Sequence, residues 1–445
     1  MCNIFALYKP ILINTYKIMK TLKRILKYVV VIIVALTVWV VIIFLGTQNG
    51  WWHKPITDQD SSEAFIDATK EEIKSQFVGN YAMATFNNGG VETEEFHSVG
   101  KAVNRNTVFQ VASLSKWVSA FGVMKLVEDG KLDLDAPVNT YLTRWQLPAS
   151  QFDNDKVTVR SLLSHTAGLT DGLGYSGFET IDKKQTLEAS LTKASDADDG
   201  ISGVVKVGMK PGEFKYSGGG YTLLQLLVEE VTGQSFASYM KEEIFKPLNM
   251  TQSSYTWDSS SGYNLAEFYN ADGTKAKHYH YTSLAATSLY TSLSDLETFF
   301  QVFLKGENNE PIGRNILKPK TLKSMRISHA STMGIDIWGL GTILYTTTEN
   351  GGFIIGHDGR STPPINTAIR LNPQTGNGII ILETGNPILA TKLASEWVFW
   401  KTGKVDLTLF TMLKDNMVSA IGKGWIAIIV LLIIIGVVRG QKSKQ

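Results

Sequence analysis

Disulfide chemistry is closed to this chain, because its 445 residues include one cysteine, Cys2, with no second thiol to pair with it. A cysteine zinc cluster is excluded for the same reason. Charge is scarce as well, at 19% of residues against 44% hydrophobic, a balance that can bury a large core as one big domain or two small ones and does not describe a disordered chain. Acid is missing from both ends. Residues 1–45 carry Lys9, Lys17, Lys20, Lys23, Arg24 and Lys27, residues 423–445 carry Lys423, Arg439, Lys442 and Lys444, and neither stretch has an Asp or Glu. The segment between them holds 33 basic and 41 acidic residues, and a net negative segment repels nucleic acid. The seven histidines include no His-Glu-x-x-His arrangement, and the acidic run Asp196–Gly200 lacks the Gly and terminal Glu spacing of a calcium loop. No metal or other cofactor is expected. Fixed-period repeats and low-complexity tracts are absent too, which excludes a solenoid.

What the ends do contain is hydrocarbon. Tyr28 to Leu45 runs 18 residues without charge and follows five basic residues from Lys17 to Lys27, so the basic side should stay cytoplasmic. A cleaved signal is the competing reading, but the run exceeds the usual h-region of about 7–15 residues and no Ala-x-Ala site follows. Gly424 to Val438 is apolar for 15 residues, begins with Trp425 and is flanked by Lys423 and the basic tail 439–445. That is short for a span, and an interfacial or docked helix is its alternative. Two spans would set a domain over 62–405, with linkers at 46–61 and 406–423, on the periplasmic or extracellular side of the cytoplasmic (inner) membrane. The lipid bilayer would be its partner, with a membrane protein as a further candidate, and nucleic acid would not.

Within the middle segment, periodicity suggests a helix from Glu63 to Tyr81 and short strands from Ala82 to Gln110 around the turn Asn87–Gly90. Further helices are expected from Ser113 to Asp129, stopped by Gly130, from Tyr221 to Val231, and between Tyr281 and Leu304 with Ser294 as cap. The pattern then changes to strands at 340–346, 353–355, 367–371 and 378–382, with a closing helix at 390–399. Antiparallel strands from both ends meeting a mostly helical middle make an α+β fold.

Ser113 and Lys116 stand three apart at the start of a helix, which puts a hydroxyl and an amine on one face, where the amine can take the hydroxyl's proton. Ser-x-x-Lys is common by chance, but here it precedes three further elements in order: Leu162–Leu169 (Leu-Leu-Ser-His-Thr-Ala-Gly-Leu), Pro211–Phe214 running into Tyr216-Ser217-Gly218, and Trp338–Gly341 followed by Gly356-His357-Asp358-Gly359. Over roughly residues 60–400 the chain resembles the serine beta-lactamase and penicillin-binding-protein superfamily, more narrowly the class C-like serine hydrolases.

The resemblance implies a beta-lactamase/transpeptidase-like fold and an acyl-enzyme mechanism. Ser113 would be the nucleophile, Lys116 its partner in proton transfer, Tyr216 a general base and then acid, and His357 the replacement for the lysine of the Lys-Thr-Gly strand. The backbone N–H groups of Ser113 and Arg360 would form the oxyanion hole, and Gly218, Asp358, Gly359 and Arg360 would contact substrate. His165 reads as a bend residue. Gly218 departs from the family's asparagine, and His357-Asp358-Gly359 departs from Lys-Thr-Gly, which disfavours beta-lactam turnover. The expected function is hydrolysis of a small peptide, amide or ester; the alternatives are a non-catalytic module binding cell-wall peptide or a membrane partner, and a beta-lactamase or D-Ala-D-Ala carboxypeptidase.

Overall fold

A computed structural model describes residues 4–172, 174–306 and 308–442. Cys2 lies outside the described residues. The chain divides into two units, one formed by Met1–Lys54, Gly403–Val405 and Leu409–Gln445 and the other by Pro55–Thr402 with Asp406–Thr408.

The first unit is built on two long helices, Ile4–Gln48 and Lys414–Lys442. Within them Ile18–Gln48 and Lys414–Arg439 are each long and apolar enough to cross a membrane. They pack on each other: the Trp39 indole donates to Ala420 O at 3.2 Å and the Trp425 indole to Leu36 O at 3.3 Å. Gly424 is where Trp39 sits against the other helix, since a Cβ there would collide with the indole. The linker expected at 406–423 is instead helical over Leu407–Met412 and from Lys414 onward. No proline follows Pro387, so nothing in that stretch forces the helix to stop.

The second unit is organised by an eight-stranded antiparallel sheet. Its strands are β1 (Asn80–Asn87), β2 (Gly90–Ser98), β5 (Ala330–Thr332), β6 (Ile335–Trp338), β7 (Ile343–Thr347), β8 (Phe353–Ser361), β9 (Ile365–Leu371) and β10 (Gly378–Thr384), in the order β2-β1-β10-β9-β8-β7-β6-β5. β3 (Val108–Gln110) and β4 (Tyr290–Ser292) form a separate pair. β9 and β10 are buried along their whole length; β10 opens with the apolar run Ile379–Leu382, whereas β9 also buries Asn366, Thr367 and Arg370. Ile379 and Ile381 pack with the closing helix Leu389–Thr402 through Leu389, Leu393 and Trp397. Ile380 and Leu382 turn the opposite way, into a larger core with Trp117, Phe299 and Phe300 of the helical region.

Several boundaries differ from the pattern reading for identifiable reasons. The first helix, capped by Ser61, ends at Gln76 rather than Tyr81. Gly79 lies so close to Thr384 O that a Cβ would sit 2.5 Å from it, and β1 then pairs with β10 from Asn80 onward. The β1–β2 turn uses Asn88 and Gly89 at φ 51° and 84°, the left-handed pair of a two-residue hairpin. Residues 281–304 divide into a short helix Leu284–Thr287, β4 and a helix Leu293–Gln301 capped by Ser292, not Ser294. The expected strand at 353–355 continues to Ser361. His357, Asp358 and Gly359 are therefore strand residues paired to Ile369, Ala368 and Thr367. Two glycines and an Asp mimic turn chemistry, but pairing with the buried β9 overrides it.

Candidate active site

The turn before the helix Ser115–Glu128 positions Ser113. Ala112 is held at φ 48°, a left-handed conformation costly for a residue with a Cβ, and Ala112–Leu114 form one tight 3-10 turn that leads into the helix. Neighbours hold this geometry on both sides. Val111 N–H donates to Leu289 O at 3.0 Å and Val111 O accepts from the Thr367 hydroxyl at 2.9 Å. The Ser115 hydroxyl donates to Ala112 O at 2.5 Å and accepts from Leu289 N–H at 2.9 Å. Gly359 of β8 abuts the same turn so closely that a Cβ would collide with Val111 O.

Lys116 Nζ lies 3.1 Å from Ser113 Oγ and 2.7 Å from Ala286 O. The amine is only 2% exposed, and burial lowers its pKa to about 7, with the attraction of Asp171 opposing the shift. A neutral amine there donates one N–H to Ala286 and keeps a lone pair for Ser113. Burial pushes the pKa of the Tyr216 phenol up, an effect that neighbouring Ser113 partly offsets. Lys116 Nζ stands 5.0 Å from the centre of the Tyr216 ring. Between the two groups, the amine is the one whose proton is easily lost near neutral pH, and the phenol keeps its own. Burial thus acts oppositely on the two groups named as candidates for proton transfer, lowering the amine's pKa and raising the phenol's.

Ser113, Lys116, Tyr216, Gly218 and Arg360 line one cavity of about 370 Å³, together with Tyr175, Ala286 and Ile388. The other sequence-derived candidates lie behind it. His357 is 1% exposed, and burial, reinforced by the Lys116 and Arg370 charges, lowers its pKa to about 3, so it is neutral rather than a titratable cation. Its Nδ1 lies 2.6 Å from Asp358 O, which makes Nδ1 the protonated nitrogen and leaves Nε2 buried without a partner among the described residues. Asp358 does not face the cavity. Its carboxylate is held by Arg370, at 2.6 Å through Nη1, and accepts from the Thr408 hydroxyl at 2.9 Å. Gly359 likewise serves the approach of β8 to Val111 and does not line the cavity.

Two residues that sequence reasoning set aside or missed support the site. His165, at φ 57°, brackets Tyr216: its carbonyl accepts from Lys215 N–H at 2.8 Å and its Nδ1 from Ser217 N–H at 3.2 Å. Its ring centre is 4.3 Å from that of Tyr216, and burial keeps the imidazole neutral. The position just after Ser164, in a bend joining two elements, was the available signal. Arg370, fully buried, joins Asp358 to Asp406 at 2.9 Å and stacks its guanidinium 3.5 Å from the Tyr345 ring centre. Nothing in the stretch Thr367–Leu371 marks it beforehand. The described residues hold no group of three metal-ligating side chains.

The beta-lactamase family model matches residues 66–394. Among curated proteins, Protein flp of Staphylococcus aureus (strain MRSA252) is 23% identical over 347 residues, 75% of this chain, and the chain spans 65% of that relative's length. The putative penicillin-binding protein PbpX of Bacillus subtilis (strain 168) is 28% identical over 210 residues, 46% of this chain and 48% of PbpX. Among solved structures, the octameric penicillin-binding protein homologue from Pyrococcus abyssi superposes with a TM-score of 0.61 at 24% identity, covering 77% of this chain and 78% of that one. The beta-lactamase/D-alanine carboxypeptidase from Pseudomonas syringae gives 0.59 at 17% identity, over 76% and 98%.

Proposed function

Because this chain belongs to the beta-lactamase family, we propose that it is a membrane-anchored serine hydrolase that opens a small peptide, amide or ester through an acyl-enzyme on Ser113. The observation that carries the reading is the 3.1 Å approach of Ser113 Oγ to a buried amine whose pKa is lowered to about 7. Lys116 takes the hydroxyl proton as Ser113 attacks the carbonyl. Tyr216, protonated beside Ser113, passes its proton to the leaving group and is reprotonated by the Lys116 ammonium, so the proton taken from Ser113 ends on the leaving group. Backbone N–H groups of Ser113 and Arg360 are the assigned donors to the tetrahedral oxygen, and losing one such donor costs about 2.7–4 kcal/mol of transition-state stabilisation. A binding module has no use for a lysine stripped of its hydration beside a serine, which disfavours the non-catalytic alternative.

The test is intact mass after treatment with a serine-directed fluorophosphonate. A single adduct on Ser113, lost in Ser113→Ala with folding retained, is the expected result; no adduct on folded protein across several probe chemistries refutes the reading. The two apolar helices, each with its basic flank on one side, support an anchor with the hydrolase outside the cytoplasmic membrane. Reporters after Gln48 and at Gln445 should then read opposite compartments.

A further inference from the structure

Position 218, where the superfamily pattern has an asparagine, is occupied by a glycine for a reason visible in the structure. Gly218 opens the helix Gly218–Thr232 and lines the cavity. A Cβ built on it would stand 2.7 Å from Tyr175 Cε2, with Cδ2 and Cζ of the same ring at 3.4 and 3.5 Å. No side chain fits at 218 while the tyrosine ring stays in place.

That ring is held. The Tyr175 backbone bridges Ala197, and the next residue, Ser176, donates its N–H to Asp196 O at 2.7 Å. The hydroxyl lies 3.4 Å from Thr222 Oγ1, which is itself bonded to Ser283 and to Gly218 O. Burial and the nearby Asp171 push the phenol's pKa up, so the ring stays uncharged. The ring is largely buried but lines the cavity, which it shares with Ser113, Ala286, Pro387 and Ile388.

We propose that Tyr175 selects the acyl group delivered to Ser113, favouring acyl groups with an apolar or aromatic side chain that packs on its ring over small ones. The proposal rests on the reading of Ser113 as the acylated nucleophile. Ring-on-ring packing discriminates by roughly tenfold.

Two esters with one leaving group, p-nitrophenyl acetate and p-nitrophenyl phenylacetate, isolate this effect when kcat/KM is measured on the full-length protein in detergent. Tyr175→Ala should lower the phenylacetate-to-acetate ratio about tenfold, and Tyr175→Phe should keep it, since only the hydroxyl is lost. Gly218→Ala gives an independent reading: the added Cβ must displace the ring and shift the ratio in the wild-type background, and should shift it far less in the Tyr175→Ala background, where the obstacle is gone. Ser113-dependent hydrolysis with a ratio unmoved by Tyr175→Ala or by Gly218→Ala overturns the proposal and leaves the hydrolase reading standing. Hydrolysis undiminished in Ser113→Ala overturns both.

Discussion

Lys116 offers a sharp test, because a pKa of about 7 in a lysine has consequences for both rate and stability. If the neutral amine takes the Ser113 proton, the rate of Ser113 phosphonylation should follow the neutral fraction: about a tenth at pH 6, about half at pH 7 and about nine-tenths at pH 8. The log of the rate therefore rises with a slope near one below pH 7 and levels off above it. Lys116→Met should lower the rate by roughly 10²- to 10⁴-fold and flatten the profile. The stability sign follows from proton counting. Between about 7 and the model-peptide value of 10.5 the unfolded chain carries the lysine proton and the folded chain does not, so folding stability rises with pH there, by about 1.4 kcal/mol per unit. Over the whole interval this amounts to roughly 5 kcal/mol, present in full above 10.5 and lost as pH falls through 7. Thermal midpoints of the two proteins, compared from pH 6 to 10, should diverge in favour of wild type as pH rises. A rate independent of pH between 6 and 8, or divergence in the opposite direction, would show that Lys116 acts as a fixed cation and refute the assignment.

Gly359→Ala should cost about 1–3 kcal/mol of stability and reduce Ser113 labelling, because the new Cβ collides with Val111 O; a thermal melt and labelling rate together check it. Arg370→Met leaves the Asp358 and Asp406 carboxylates without their cation and should destabilise by roughly 3–5 kcal/mol, read as a fall in thermal midpoint. Tyr216→Phe should slow acylation far more than it lowers stability. His165→Ala should approach the same rate loss, since Tyr216 loses its packing ring and Ser217 its acceptor, and an unchanged labelling rate there would remove His165 from the support of the site.

Local patterns in the chain were enough for the antiparallel sheet, the terminal apolar helices, the helix after Ser113 and the Ser113–Lys116 pair, while the family resemblance added Tyr216, Gly218 and Arg360 as candidates. Each rests on short-range physics: a three-residue spacing shares a helical face, apolar runs set element length, and ordered motifs mark one fold. Long-range contact decided the rest. Which side chains of β8 reach the cavity could not be read from His357-Asp358-Gly359, because it depends on strand pairing, which sends Asp358 to Arg370. Burial made His357 neutral and brought the Lys116 pKa to about 7, and burial belongs to the packed chain rather than to a residue type. Tyr175 and Gly218, 43 residues apart, became one wall only when the fold set the ring against the glycine. Sequence by itself determined which groups are available for chemistry; tertiary structure decided which of them keep their protons, because desolvation and neighbouring charge act through space and not along the chain.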